Sequence, residues 1–247
     1  MDKLIKCFEL TGYQVVSVIG SGGKSSLIKY LSNALRYERI LVSTTTRILY
    51  PNKEEYDYIY HHSYQNLGRD GVGVTIAGDI VEEDIKKLKM PEDENFRRAF
   101  SKFDKIFLEA DGSRGLPLKA WADYEPVVLP ETTMTIGVIP INSLGLKVNF
   151  SNIHRFPLWL ELTEENPDAI ISLEALTKTI THEKGMWKNA KGKRILCINQ
   201  VGNGSQLNVA KDIVLSLPTT LKMSMSKIIA CSAKDEQGYV LWDNTKG

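Results

Sequence analysis

Apolar runs of strand length recur along the chain at residues 15–19, 40–42, 106–108, 134–139, 195–198 and 228–231, each ending in small or polar residues. Several are dense in Val and Ile without clean alternation, the pattern of strands buried on both faces of a parallel sheet. Between them, residues 25–37 carry Leu27, Ile28, Leu31 and Leu35 at helical spacing. Residues 207–217 do the same with Leu207, Ala210, Ile213, Val214 and Leu217. Strands alternating with helices predict an α/β fold: a doubly wound, mostly parallel sheet with right-handed crossovers and helices on both faces, three layers in all. Two regions break the rhythm. Residues 50–64 are aromatic and polar, and residues 71–81 (GVGVTIAGDIV) predict a small β-hairpin; residues 142–193 predict a helical insert rich in ionisable side chains. No repeat, low-complexity tract or Pro-rich linker divides the chain, so a single domain over residues 1–247 is expected.

Composition narrows this picture rather than changing it. The 247 residues are 43% hydrophobic and 25% charged, ordinary for a globular domain. The net charge of +1 gives no electrostatic reason to expect a nucleic-acid or membrane-surface partner. Cys7, Cys197 and Cys231 are odd in number and widely spaced, and two lie in apolar runs. They predict buried thiols in a reducing compartment rather than a disulfide framework. No apolar run approaches the roughly 18–20 residues needed to cross a bilayer, and the first eleven residues mix charge with apolar side chains. A cytoplasmic protein is expected.

The strongest chemical signal is V-V-S-V-I-G-S-G-G-K-S-S-L-I. An apolar strand runs into Gly20, Ser21, Gly22 and Gly23, then Lys24, Ser25, Ser26 and a helix. Phosphates need backbone N–H groups they can approach closely and a helix N-terminus whose dipole favours negative charge. Lys24 would reach the terminal phosphates and Ser25 would help hold Mg²⁺. The spacing departs from G-x-x-x-x-G-K-[ST], because Val18 stands where the first glycine belongs. The competing reading is a glycine-rich strand-to-helix turn with a chance lysine.

A second signal is F-D-K-I-F-L-E-A-D-G-S-R-G, where an apolar strand ends in Glu109 and Asp111. Two residues apart on an extended segment, these carboxylates point the same way, at the strand edge where α/β folds place ligands. One would hold Mg²⁺ and the other orient an attacking water; a solvated acidic turn is the alternative. The run Ser43-Thr44-Thr45-Thr46-Arg47 leaves another strand as either a helix cap or a switch segment, with Thr44 facing the metal. Thr44 thus joins Ser25 and Asp111 as an expected metal ligand, and Lys24, Glu109 and Asp111 are the expected catalytic groups.

Two further strand ends concern a base. Asn199-Gln200-Val201-Gly202 looks like the Asn-Lys-x-Asp run of GTPases, and Ser232-Ala233-Lys234 looks like the element that supports guanine there. Gly202 occupies the position of the base-selecting Asp, so base choice stays open between ATP and GTP. Asn199 is expected to contact the base, against a plain strand-end turn. Arg114 and Lys119 are candidates for a phosphate or acidic-substrate contact, or are solvated loop charges. His61, His62, His154 and His182 lack metal-ligand spacing.

Taken in order, V-I-G-S-G-G-K-S-S, S-T-T-T-R-I, L-E-A-D-G-S-R-G-L-P-L-K-A, N-I-H-R-F, T-H-E-K-G and L-C-I-N-Q-V resemble the YqeC family across essentially the whole chain. Its most distinctive block runs over residues 109–120 and on to Glu125-Pro126-Val127. The family's members are described as accessory proteins of selenium-dependent molybdenum hydroxylases. The resemblance therefore implies a P-loop NTPase-like fold and a role in maturing such an enzyme. It also implies that Glu109, Asp111, Arg114, Pro117, Lys119, His154 and Arg155 lie near the nucleotide or its acceptor. Gly202 and Gly115 depart from the family's pattern.

Three functions follow as expectations. The first is a Mg²⁺-dependent NTPase that binds ATP or GTP and acts on a client metalloenzyme. The second is a small-molecule kinase whose anionic acceptor is held by Arg114, Lys119 and Arg155. The third is a nucleotide-binding module without turnover.

Overall fold

The computed structural model describes residues 3–245. In chain order the strands are β1 (Val15–Gly20), β2 (Arg39–Thr44), β3 (Arg47–Leu49), β4 (Tyr58–Tyr60), β5 (Gly73–Ala77), β6 (Asp79–Val81), β7 (Asp84–Lys89), β8 (Lys105–Glu109), β9 (Leu118–Lys119), β10 (Met134–Pro140), β11 (Ile153–His154), β12 (Lys193–Asn199), β13 (Lys227–Ser232) and β14 (Gln237–Asp243). The helices are α1 (Lys3–Phe8), α2 (Lys24–Ala34), α3 (Glu94–Arg98), α4 (Phe156–Thr163), α5 (Leu173–Thr181), α6 (Gly204–Ser216) and α7 (Thr219–Ser224).

Nine strands form one sheet in the order β14-β13-β12-β10-β1-β8-β2-β5-β4. All neighbours are parallel except β14, which runs antiparallel to β13 and closes one edge. Alternate side chains of the central strands enter two different cores. Val16, Val18, Ile195, Cys197, Ile229 and Cys231 pack with Leu27, Ile28 and Leu31 of α2. Ile19, Leu196, Ile198, Ile228 and Ala230 pack on the other face with Trp159, Leu176 and Ile213 from α4, α5 and α6. Helices thus cover both faces of a mostly parallel sheet, the expected α/β architecture.

The six expected strands are the six central ones, each one or two residues longer at its ends than its apolar run. The expected hairpin is displaced. Gly73–Ala77 is buried throughout and joins the main sheet between β2 and β4, while the hairpin is β6–β7, with β3 as a third strand. Gly78 is the break: a Cβ there would press on Leu88 and the Lys89 carbonyl where the chain leaves one sheet for the other. The insert carries α4 and α5 as expected, preceded by the two-residue strand β11, which pairs with β9. Cys197 and Cys231 are buried neighbours on β12 and β13, and burial holds the Cys197 thiol well above its ordinary pKa.

The order of strands decides where a ligand can sit. β1 lies between β8 and β10, so its C-terminal end opens where connections on either side diverge. Such a switch point is the crevice that α/β sheets use for binding.

Candidate functional site

β1 delivers Gly20 to this crevice, and α2 begins four residues later at Lys24. Only glycine suits the turn between them. Gly20 has φ +98° and a Cβ there would collide with the Val138 carbonyl; Gly23 has φ +112° and a Cβ would collide with Asn199 Nδ2. The turn is pinned on three sides. The Ser21 N–H donates to the Val138 carbonyl at 3.0 Å, the Gly20 N–H to both Asp111 oxygens at 3.1 and 3.0 Å, and Asn199 Nδ2 to the Gly22 carbonyl at 2.9 Å. The N-cap residue Gly23 offers no side-chain cap, so the first N–H groups of α2 face the crevice with the positive end of the helix dipole.

Beneath the turn runs a chain of alternating charge. Lys24 Nζ lies 3.7 Å from Glu109 and 3.3 Å from Asp111. Asp111 lies 3.4 Å from Lys119, and Lys119 lies 3.3 Å from Glu125. Glu125 accepts from Arg155 Nε at 2.9 Å, which puts the far end of the chain at the N-cap of α4. Three cations and three carboxylates therefore balance across the crevice floor. Their titration follows from burial set against partners. Burial opposes charge on Lys24, but Asp111 and Glu109 outweigh it and raise its pKa. Burial likewise opposes charge on Asp111, yet Lys24, Lys119, the Gly20 N–H and Trp121 hold its pKa below the ordinary carboxylate value. At Lys119 burial prevails over Asp111 and Glu125, and the pKa falls.

A cleft of about 1070 Å³ opens above this floor. Of the residues singled out from sequence, Gly22, Gly23, Lys24, Ser25, Ser26, Glu109, Arg114, His154 and Arg155 line it. Ser25 Oγ donates to Glu109 Oε2 at 2.7 Å, so the helix hydroxyl and the strand-end carboxylate meet at one point. Gly20 and Ser21 stand behind the turn as its support.

Asp111, Thr44, Lys119, Asn199, Ser232 and Lys234 lie off the lining of this cleft. Asp111 is fully buried, with its oxygens taken by the Gly20 N–H, Trp121 Nε1 and two lysines, so it braces the turn and Glu109 is the carboxylate that meets the cleft. Thr44 is also fully buried; its hydroxyl donates to the Glu109 carbonyl and accepts from the Thr46 N–H, leaving Thr46 and Arg47 at the cleft. Lys119, expected at a ligand or in solvent, is enclosed between two carboxylates. Asn199 is tied to Gly22, while its neighbour Gln200 reaches the cleft. Ser232 donates to Asp235 at 2.6 Å, and Lys234 lines a second cavity of about 910 Å³ that shares Ser26 with the cleft. His182 Nδ1 accepts from the Lys184 N–H in a local turn.

Sequence reasoning missed three members of this network: Glu125, Trp121 and Tyr124, whose hydroxyl accepts from Arg155 at 2.9 Å. Glu125 sits in the distinctive block, but its role depends on a partner, Arg155, thirty residues away. One wall of the cleft is cationic. Arg47 and Arg114 are exposed, and among the described residues neither has an ion-pair partner. His154 lies beside this wall, and its pKa is lowered to about 4 by burial, then by Lys119 and Arg155 of the floor and Arg114 of the wall.

Comparison with known proteins bears on this site. The family model for the YqeC protein matches residues 16–157, more than half of the chain. That span begins in β1 and reaches the first turn of α4, so it contains the glycine turn and every member of the charge chain. The chain is also 29% identical over 209 residues to the uncharacterized protein YqeC of Escherichia coli (strain K12), an alignment covering 75% of each. This chain belongs to the YqeC family.

Proposed function

We propose that the chain is a Mg²⁺-dependent nucleoside triphosphatase with its phosphates seated on the turn between β1 and α2. One observation carries this reading: Lys24, Ser25 and Glu109 converge at the uncapped N-terminus of α2, over a turn that only glycine can form. Backbone N–H groups, a helix dipole and a lysine together suit a polyphosphate. Lys24 now donates to the Gly20 carbonyl at 2.7 Å and would exchange that bond for a terminal phosphate oxygen. Ser25 and Glu109 fit Mg²⁺, which takes one or two protein oxygens and completes its shell from phosphates and water. The ion would supply charge neutralisation of the phosphates. Glu109 would orient a water toward the terminal phosphorus; a new P–O bond to that water forms as the bond to the departing nucleoside diphosphate breaks, and the water's proton leaves with the released phosphate.

The resemblance to accessory proteins of selenium-dependent molybdenum hydroxylases suggests such an enzyme as client. The charge chain gives a route for the signal, because it runs unbroken from Lys24 to Arg155 at the start of α4. A phosphate that draws Lys24 away from Asp111 alters the first link of that chain, and the insert is attached to the last. Phosphate release by purified protein, abolished in Lys24→Ala and reduced in Glu109→Gln, supports the reading. Absence of hydrolysis with every nucleotide, with and without a hydroxylase client, would sink it.

A second reading has its own observation. Arg47 and Arg114 present unpaired charge to a cleft that also holds His154, a wall suited to an anionic acceptor. In that case the terminal phosphoryl group passes to the acceptor instead of water. Phosphate transfer to an added anionic metabolite, with little free phosphate formed, separates this kinase reading from the first.

A further inference from the structure

The base-selecting position of the β12 loop is occupied by Gly202, which has no side chain to offer. The space beside it is not vacant. A Cβ built on Gly202 would lie 3.0 Å from Asp235 Oδ2. An aspartate at 202 would place its own carboxylate oxygens about 2.4 Å from that Cβ by ordinary bond lengths. A carboxylate from the next loop therefore stands beside the position from which the missing one would extend.

Asp235 is held there. Ser232 Oγ donates to its Oδ2 at 2.6 Å, and the Asp235 N–H donates back to Ser232 Oγ at 3.3 Å. Asp235 itself is exposed, so lone pairs of the carboxylate remain open to a ligand. The loop also borders the second cavity: Lys234 and Glu236, on either side of Asp235, line it together with Ser26, Lys29 and Tyr30 of α2. Ser26 lines both cavities, so the two meet at the start of α2, beside the loop that carries Asp235. Asn199 meanwhile joins the end of β12 to the phosphate turn through Gly22, fixing the two loops relative to each other.

We propose that Asp235 reads the base and that the preferred nucleotide is GTP, an inference that rests on the nucleotide-binding reading above. Guanine presents N1–H and the N2 amino group side by side, and one carboxylate accepts both. Adenine presents a bare N1 acceptor on that edge, which faces the carboxylate lone pairs and is repelled.

The test is direct binding of GTP, ATP and XTP, each with Mg²⁺, to the full chain and to Asp235→Asn. A carboxamide still accepts from Ser232, so the fold is retained, but it cannot accept two guanine N–H groups. Its amino group instead suits the xanthine O2. Wild type should bind GTP roughly ten- to a hundredfold tighter than ATP. Asp235→Asn should lose that preference and gain XTP affinity by a similar factor, with ATP affinity and melting temperature unchanged. A merely structural role would weaken all three nucleotides together. Lys24-dependent binding whose GTP-to-ATP ratio is untouched by Asp235→Asn overturns this inference and leaves the nucleotide reading standing. No nucleotide binding at all overturns both.

Discussion

The floor and the cationic wall of the cleft treat their charged groups in opposite ways. On the floor, Lys24, Asp111, Lys119, Glu125 and Arg155 satisfy one another at 2.9–3.4 Å, and Lys119 and Asp111 are wholly buried. On the wall, Arg47 and Arg114 have no ion-pair partner among the described residues and stay in solvent. A buried charge must be matched within the protein because desolvation is costly. An exposed arginine carries no such demand and is free for a ligand. The floor therefore fixes geometry, and the wall keeps its charge open to solvent.

Substitutions can break this contrast. Asp111→Ala should have the largest effect, since it strands Lys24 and Lys119 in a buried site; a loss of about 3–5 kcal/mol is expected in denaturant unfolding. An unchanged midpoint would mean that the floor is not a structural unit. Lys24→Ala should cut nucleotide affinity by about a hundredfold, the scale of losing charge-assisted bonds to phosphate, as read by calorimetry. Arg114→Ala should leave stability within about 0.5 kcal/mol while weakening anion binding roughly tenfold. Equal effects on both would erase the distinction between floor and wall.

The smallest effect concerns His154. Its pKa near 4 lies below the ordinary 6.5, so as pH falls from 6.5 toward 4 the unfolded chain gains a proton that the folded chain refuses. Stability is then lost across that window. His154→Gln should flatten the loss. In NMR titrations, an anion bound on the wall should offset the positive field and raise the His154 pKa; no change with saturating ligand would place the anion elsewhere.

These contrasts also explain what could be read from sequence. The six central strands and α2 were legible because burial on both faces writes a continuous apolar run, and because a turn with no room for a Cβ at positions 20, 22 and 23 needs glycine there. β4 and β14 were not, since their half-buried residues show neither a run nor clean alternation. Lys24, Ser25 and Glu109, which meet at the start of α2, were legible from local motifs. The jobs of Asp111 and Lys119 were not, because a buried ion pair and a solvated one share the same letters. Glu125 and Asp235 escaped for a related reason: each lies against a residue that only folding brings near, Arg155 in one case and Gly202 in the other.

The central claim, that the turn between β1 and α2 seats a nucleoside triphosphate, is tested most directly by thermal unfolding with ATP, GTP, ADP and GDP in the presence of Mg²⁺. A ligand at about 100 times its dissociation constant adds roughly 2.7 kcal/mol of stability, an easily read rise in midpoint. The account predicts that rise with at least one triphosphate in wild type and none in Lys24→Ala. A wild-type midpoint unmoved by every nucleotide, or a rise that persists in Lys24→Ala, would contradict it.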